Sequence, residues 1–86
     1  MLLGVEMTSG CVAWGQIPGS KSRDYLGFFN TAEYAVNSLR HMDLGMYRGH
    51  ESGEAGVVIE EYRERKLVER LEFTEDGRAV PMRSFV

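Results

Sequence analysis

The chain has 86 residues, of which 43% are hydrophobic and 27% are charged. That balance is typical of a globular protein, and the length allows one domain, spanning 1–86, with one core. Thirteen acidic residues stand against ten lysines and arginines, which gives a formal net charge of −3. This charge disfavours nucleic acid as a partner, because proteins that bind polyanions carry a basic face.

The cysteine content and the N-terminal sequence indicate the compartment. Cys11 is the only cysteine, so no intrachain disulfide can form. The apolar stretch from Met1 to Val5 is too short for a signal peptide and lacks a basic start. We therefore expect a soluble, cytoplasmic protein with no membrane partner.

The first third of the sequence predicts three strands. Apolar and other residues alternate from Leu3 to Met7, and after a short turn an extended apolar pattern runs from Cys11 to Ile17. If alternate residues of this second strand face the core, Trp14 lies on its outer face. The third strand is Tyr25 to Phe29, and Gly27 within it predicts a bulge or a close backbone approach.

One amphipathic helix is predicted from about Thr31 to Met42. Thr31 is a suitable N-cap residue, because its side-chain oxygen can accept a backbone N–H. Ala35, Leu39 and Met42 recur at the spacing of one helical face, which we expect to pack on the sheet. Gly45 is expected to end the helix.

Glycines are spread through the segment 44–56, which has no hydrophobic periodicity. A loop of this length in a small domain is usually functional or disordered, so the segment is predicted to be a flexible loop that carries the partner contact. Tyr47, Arg48 and His50 are side chains suited to a protein interface. Together with Trp14, they are the predicted partner-binding residues.

The last third predicts three more strands with one face in solvent. Val57 to Tyr62 and Leu67 to Thr74 alternate apolar and charged residues, and Asp76-Gly77 predicts a hairpin to a short strand from Arg78 to Met82. A charged helix over 59–71 is the alternative, since opposite charges recur four residues apart. Strands are favoured because the stretch begins with β-branched residues and ends at an Asp-Gly turn.

These elements predict an α+β domain in the order β-β-β-α-β-β-β. We expect a small antiparallel sheet of five to six strands with the helix packed on one face, because both carry an apolar stripe. Glu60 and Glu72 would then lie on the solvent face opposite Arg63, Arg65, Lys66 and Arg70. They are predicted to form cross-strand ion pairs rather than the paired carboxylates of a glycosidase.

No pattern of catalytic or metal-binding residues stands out. His41 and His50 are nine residues apart, one at a helix end and one in a loop, which matches no zinc motif. The sequence also lacks a nucleophile motif and a phosphate-binding loop. We therefore expect no catalytic residues, no bound metal and no cofactor.

The leading interpretation is a non-enzymatic module that binds another protein. The composition is typical of small accessory proteins of bacteria and their phages, such as inhibitors and regulators. Two alternatives are a small enzyme that uses His41 or His50 and a weak nucleic-acid-binding protein that uses the aromatic sheet face. Homodimerisation through edge strands, at Met1 to Met7 and Arg78 to Met82, is also open.

Overall fold

The computed structural model describes residues 9–51 and 54–82 of the protein. Its elements, in chain order, are β1 (Gly10–Gly15), β2 (Asp24–Phe29), α1 (Ala32–Leu39), a 3-10 helix (Gly45–Tyr47), β3 (Val57–Arg63), β4 (Lys66–Phe73) and β5 (Ala79–Pro81). The strands form one antiparallel sheet of five in the spatial order β2-β1-β3-β4-β5. The predicted α+β class is confirmed, and the strand predicted from Leu3 to Met7 lies outside the described residues.

Two strands, rather than a helix, occupy the stretch 59–71. In β3 and β4, Ile59 pairs with Leu71 and Val58 pairs with Glu72. The alternation that the sequence shows puts Ile59 and Leu71 in the core, on the side that α1 covers. Burial of that apolar stripe favours the strand pairing over the isolated charge pairs that a helix would gain.

The core lies between α1 and one face of the sheet. Ala35 and Leu39 of the helix belong to one buried cluster with Cys11 and Ala13 of β1, and the helix also contacts β2 and β3. Thr31 caps the helix as predicted, because its hydroxyl accepts the backbone N–H of Tyr34 at 3.1 Å. Small residues at these contact positions allow the helix to approach the sheet closely.

The helix is shorter than the sequence predicted. It ends at Leu39, and the backbone then tightens, since the N–H of Met42 donates to the carbonyl of Leu39 at 3.1 Å. Met42 therefore does not extend the buried stripe and is exposed. Gly45 does not end α1 but begins the 3-10 helix, which carries the chain back towards the core.

A bulge in β2 brings Tyr25 beside Trp14. Ala13 pairs with Gly27, whereas the next residue, Trp14, pairs with Tyr25, so Leu26 is an extra residue in β2. Gly27 has φ +154°, and a Cβ built on it would lie 2.8 Å from the ring of Phe29. The predicted bulge with a close approach at Gly27 is thus confirmed, and it sets the neighbours of Trp14.

The turn between β3 and β4 holds two residues in the left-handed region, Glu64 at φ 53° and Arg65 at φ 72°. Two consecutive positive φ values are typical of a type I′ hairpin turn, which favours Asn-Gly. An L side chain in this region costs roughly 1 to 2 kcal/mol, whereas glycine has no such cost but orders a more flexible chain. The turn is therefore a place where the sequence is locally strained.

We expect Arg65→Gly to raise the free energy of unfolding by about 0.5 to 1 kcal/mol, because relief of the strain exceeds the entropic cost of glycine. Arg65→Ala is the matched control: it removes the same side chain but keeps the Cβ, so it should change stability by less than about 0.5 kcal/mol. Urea unfolding of the three proteins measures both values. An equal change in the two variants would show that the side chain, and not the backbone, matters here.

Candidate functional site

The face of the sheet opposite α1, here called the open face, carries two neighbouring rows of cross-strand partners. Tyr25, Trp14, Val58 and Glu72 form the first row. Phe28, Val12, Glu60 and Arg70 form the second row. Trp14 lies on this face because the preceding residue, Ala13, points into the core.

At the centre of the open face lies a buried carboxylate. Glu60 is 3% exposed, and its Oε1 accepts hydrogen bonds from Trp14 Nε1 at 3.0 Å and from the Tyr62 hydroxyl at 3.2 Å. Its Oε2 accepts from Arg70 Nε at 3.1 Å and from Arg23 Nη1 at 3.3 Å. The predicted pairing with Arg70 is present, but the prediction that Glu60 is solvated is wrong. Large side chains from the neighbouring strands and from the β1–β2 loop enclose it.

The electrostatics keep this carboxyl group ionised. Burial by itself raises the pKa of Glu60, but the hydrogen bond and charge of Arg23, with the hydrogen bonds from Trp14 and Tyr62, outweigh burial and lower the pKa below its usual value. A group with a lowered folded pKa stabilises the fold above its ordinary pKa and loses that contribution as the pH falls through the folded value. Glu60 is thus a fixed negative anchor at neutral pH.

Glu60 and its partner Arg23 also orient the side chain of Trp14. The Arg23 guanidinium carbon lies 4.2 Å from the centroid of the Trp14 ring, a cation–π contact. The Tyr25 ring meets Trp14 edge to face, with centroids 5.7 Å apart at an interplanar angle of 71°. Trp14 is therefore held by its N–H, by a cation and by a second ring, while Tyr25 itself is 62% exposed.

We expect Glu60→Gln to lower the free energy of unfolding by about 3 kcal/mol at neutral pH, because the amide leaves two guanidinium groups without their shared anion. The deficit should shrink as the pH falls below the ordinary pKa of a glutamate and disappear below the lowered folded pKa, where the folded parent has also lost its charge. Glu72→Gln, on the same face, is the control and should cost less than about 0.5 kcal/mol. Urea unfolding between acid and neutral pH tests both, and a pH-independent deficit would contradict the assigned charge state.

Tyr47, predicted as a partner-binding residue of the 44–56 loop, lies in the core. Its side chain is 6% exposed, and its hydroxyl donates to Asp24 Oδ2 at 2.9 Å. A Cβ on Gly15 would lie 2.8 Å from its ring, and a Cβ on Gly56 would collide with its backbone carbonyl. These glycines let the segment pack closely, so the ring of Tyr47 is enclosed by its neighbours in the core.

Arg48 and His50 are likewise bonded to the rest of the domain. The two Nη atoms of Arg48 donate to the carbonyls of Phe73 at 2.9 Å and Thr74 at 3.2 Å. His50 Nε2 lies 2.6 Å from the carbonyl oxygen of Gln16. The described parts of the segment 44–56 are therefore tied to β4 and to the end of β1 by specific hydrogen bonds.

Both ring nitrogens of His50 face oxygen acceptors. Nε2 contacts the Gln16 carbonyl, and Nδ1 lies 3.2 Å from Glu54 Oε1. A neutral imidazole has one N–H, so only the imidazolium donates to both acceptors. The Gln16 carbonyl, followed by the Glu54 hydrogen bond, raises the pKa of His50 above its usual value, although burial opposes this. His41, by contrast, is exposed after the end of α1.

We expect the His50 ring to titrate above its ordinary pKa of 6.5. Because the folded pKa is raised, its stabilising contribution is complete below the unfolded pKa and is lost as the pH rises through the folded value. An NMR titration of the ring protons measures this pKa. Glu54→Gln should lower it, whereas Glu51→Gln, which removes a nearby charge without removing the hydrogen bond, should lower it less. The assignment is wrong if both variants titrate like the parent.

Of the residues predicted for partner binding, only Trp14 lies on the open face. The sequence placed Tyr25 on the same aromatic face as Trp14, but it did not predict that Arg23 and Tyr62 bond to Glu60 beside Trp14. No local pattern marks Arg23, since it reaches Glu60 across 37 positions of sequence. The one signal in the sequence was the alternation of side chains, which puts Trp14 and Glu60 on the outer faces of their strands. It indicates that they meet only once β1 is known to pair with β3.

Comparisons with known proteins give no functional information. No protein-family model matches the chain, and no curated protein or solved structure matches it significantly. Within residues 9–51 and 54–82, there is no group of three or more His, Cys, Asp or Glu side chains placed to hold a metal ion. Over the same residues, no helix has both the length and the apolar character needed to cross a membrane. The function must be inferred from the geometry of the site.

Proposed function

We propose that this protein is a non-enzymatic binding module that holds another protein against its open face. Trp14, Tyr25 and Arg23 are the central contact residues in this proposal. Tryptophan, tyrosine and arginine are the residue types that contribute most binding energy in protein interfaces, particularly where they cluster. On the open face Arg23 and Tyr25 each contact Trp14.

The observation that carries the proposal is the fixed orientation of Trp14. Its indole N–H is bonded to Glu60 and its ring is covered by Arg23, so few rotamers are open to it before a partner arrives. Ordering a side chain on binding costs about 0.5 to 1.5 kcal/mol, and a contact that is already ordered avoids this cost. A buried ionic network whose role is to hold an aromatic ring at the surface suits a recognition face.

The charges favour a partner with an acidic residue at the centre of its own contact surface. Arg23 and Arg70 share the single buried charge of Glu60, and their side chains are about half exposed. A carboxylate from a partner can bind the remaining guanidinium N–H groups. Glu72 on the same face and the net charge of −3 work against a polyanion, so a protein is favoured over single-stranded nucleic acid.

The pKa shift of Glu60 and the hydrogen bonds of His50 support a binding role over catalysis. Glu60 accepts four hydrogen bonds and has a lowered pKa, which disfavours general-acid chemistry. His50 has both nitrogens bonded within the domain. A protein that binds without reacting acts by occupying its partner's surface, which is how inhibitors and regulators work.

The experiment compares two exposed tyrosines on opposite sides of the sheet. Tyr25 is 62% exposed on the open face, and Tyr34 is 58% exposed on α1. We expect Tyr25→Ala to weaken binding of a co-purifying protein by about 2 kcal/mol, or roughly thirtyfold in Kd, as for an interface hot spot. Tyr34→Ala should leave Kd within about twofold. Both proteins should melt close to the parent, because both rings are exposed.

Trp14 supplies a direct readout, since it is the only tryptophan in the chain. A partner that contacts the open face should change the fluorescence of Trp14 at the same concentrations at which it binds. Equal losses of binding in the Tyr25 and Tyr34 variants, or binding without a change in fluorescence, would rule out this face. Two results would instead favour the nucleic-acid alternative: quenching of Trp14 fluorescence by oligothymidylate, and loss of the co-purifying proteins when the sample is treated with nuclease.

A further inference from the structure

A second candidate site lies on the opposite side of the sheet from Trp14. A cleft of about 560 Å³ opens between the end of α1, the 3-10 helix and the turn that joins β4 to β5. This volume falls within the range of roughly 300 to 1,000 Å³ that is typical of small-molecule sites. The cleft shares no lining residue with the open-face cluster, so it is independent of the proposed protein contact.

The floor of the cleft is apolar and belongs to the core. Leu39, Leu44 and Phe73 line it, and all three are buried members of the hydrophobic cluster. Leu44 follows the end of α1 at Leu39 by five residues and is the N-cap of the 3-10 helix, so the chain turns back towards the core before that helix begins. A flat hydrophobic group placed on this floor would be shielded from water on one side.

Two arginines line the cleft, and both are held by backbone carbonyls of one turn. Arg40 Nε donates to the carbonyl of Gly77 at 2.9 Å, and the Nη atoms of Arg48 donate to those of Phe73 and Thr74. Among the described residues, neither guanidinium is paired with a carboxylate. Carbonyls orient the two cations without neutralising them, which is what an anion site needs.

The two acidic residues of the cleft, Glu75 and Asp76, differ in how strongly they oppose the binding of an anion. Asp76 is already bonded to Arg78 Nε at 3.0 Å and to the Thr74 hydroxyl. Glu75 also lines the cleft, and among the described residues it has no ion-pair partner. The lining thus contains two cations held by neutral groups, one acid already paired with Arg78 and one unpaired acid that opposes an anion, and this difference makes an electrostatic test possible.

We propose that this cleft binds a small organic carboxylate. Its apolar body would lie on the floor formed by Leu39, Leu44 and Phe73, and its carboxylate would bind Arg40 and Arg48. Arginine suits this role because its planar N–H groups match the two oxygens of a carboxylate.

The test uses 2-naphthoate as the probe, with 2-naphthylmethanol and 2-naphthylmethylamine as neutral and cationic analogues of similar size. Binding is followed by changes in backbone amide NMR shifts. We expect 2-naphthoate to shift the amides of Gly45, Arg48 and Gly77 with a Kd of about 1 mM, the range expected for a ligand of this size. The neutral analogue should bind at least about fivefold more weakly and the amine more weakly still.

Charge variants then separate this site from general attraction. Arg40→Gln should weaken 2-naphthoate binding by about fivefold, and Glu75→Gln should strengthen it by about threefold, since both residues are at the surface. Arg63→Gln is the matched control: it changes the net charge as Arg40→Gln does, but it lies at the far end of β3. Its Kd should equal that of the parent.

Three results would overturn the proposal. Equal affinity for all three probes would mean apolar adhesion without anion recognition. Shifts confined to amides away from the cleft would place binding elsewhere. Failure of Glu75→Gln to strengthen binding would remove the electrostatic basis, and this arm is decisive even if Arg40→Gln proves unstable.

Discussion

The buried charge of Glu60 is the constraint on which the sheet depends. A carboxylate that is removed from water must be fully paired, and here its partners come from both neighbouring strands and from the β1–β2 loop. A slip of one residue between β1 and β3 would turn Glu60 into the core beneath α1, where apolar side chains could not compensate it. The network therefore specifies the register at the same time as it orients Trp14.

The two faces of the sheet solve different packing problems. Under α1, small residues such as Cys11, Ala13 and Ala35 allow close contact, and apolar burial provides the stabilisation. On the open face, long polar and aromatic side chains cover one another, and hydrogen bonds to a single carboxylate provide the order. The first face is suited to holding the domain together, and the second presents a pre-arranged surface to solvent.

The short length of α1 explains the remainder of the architecture. The helix contacts β1, β2 and β3, so the core beside β4 has to be closed by another segment. Leu44 lies there beside Phe73, and Arg48 is bonded to the end of β4. The cleft beside the β4–β5 turn is the space left between α1 and the segment that contains Leu44 and Arg48. Its floor and its arginines thus follow from how the core is completed.

The sequence by itself determined the local elements of this protein. Apolar alternation gave the strands, Thr31 gave the start of the helix, and Asp76-Gly77 gave the last hairpin, because each depends on residues within a few positions of one another. It did not determine that Glu60 is buried or that Tyr47 belongs to the core. Glu60 meets Trp14 across 46 positions, and Tyr47 meets Asp24 across 23. Such contacts depend on strand order and register, which only the tertiary structure decides, since many chain arrangements satisfy the same local pattern.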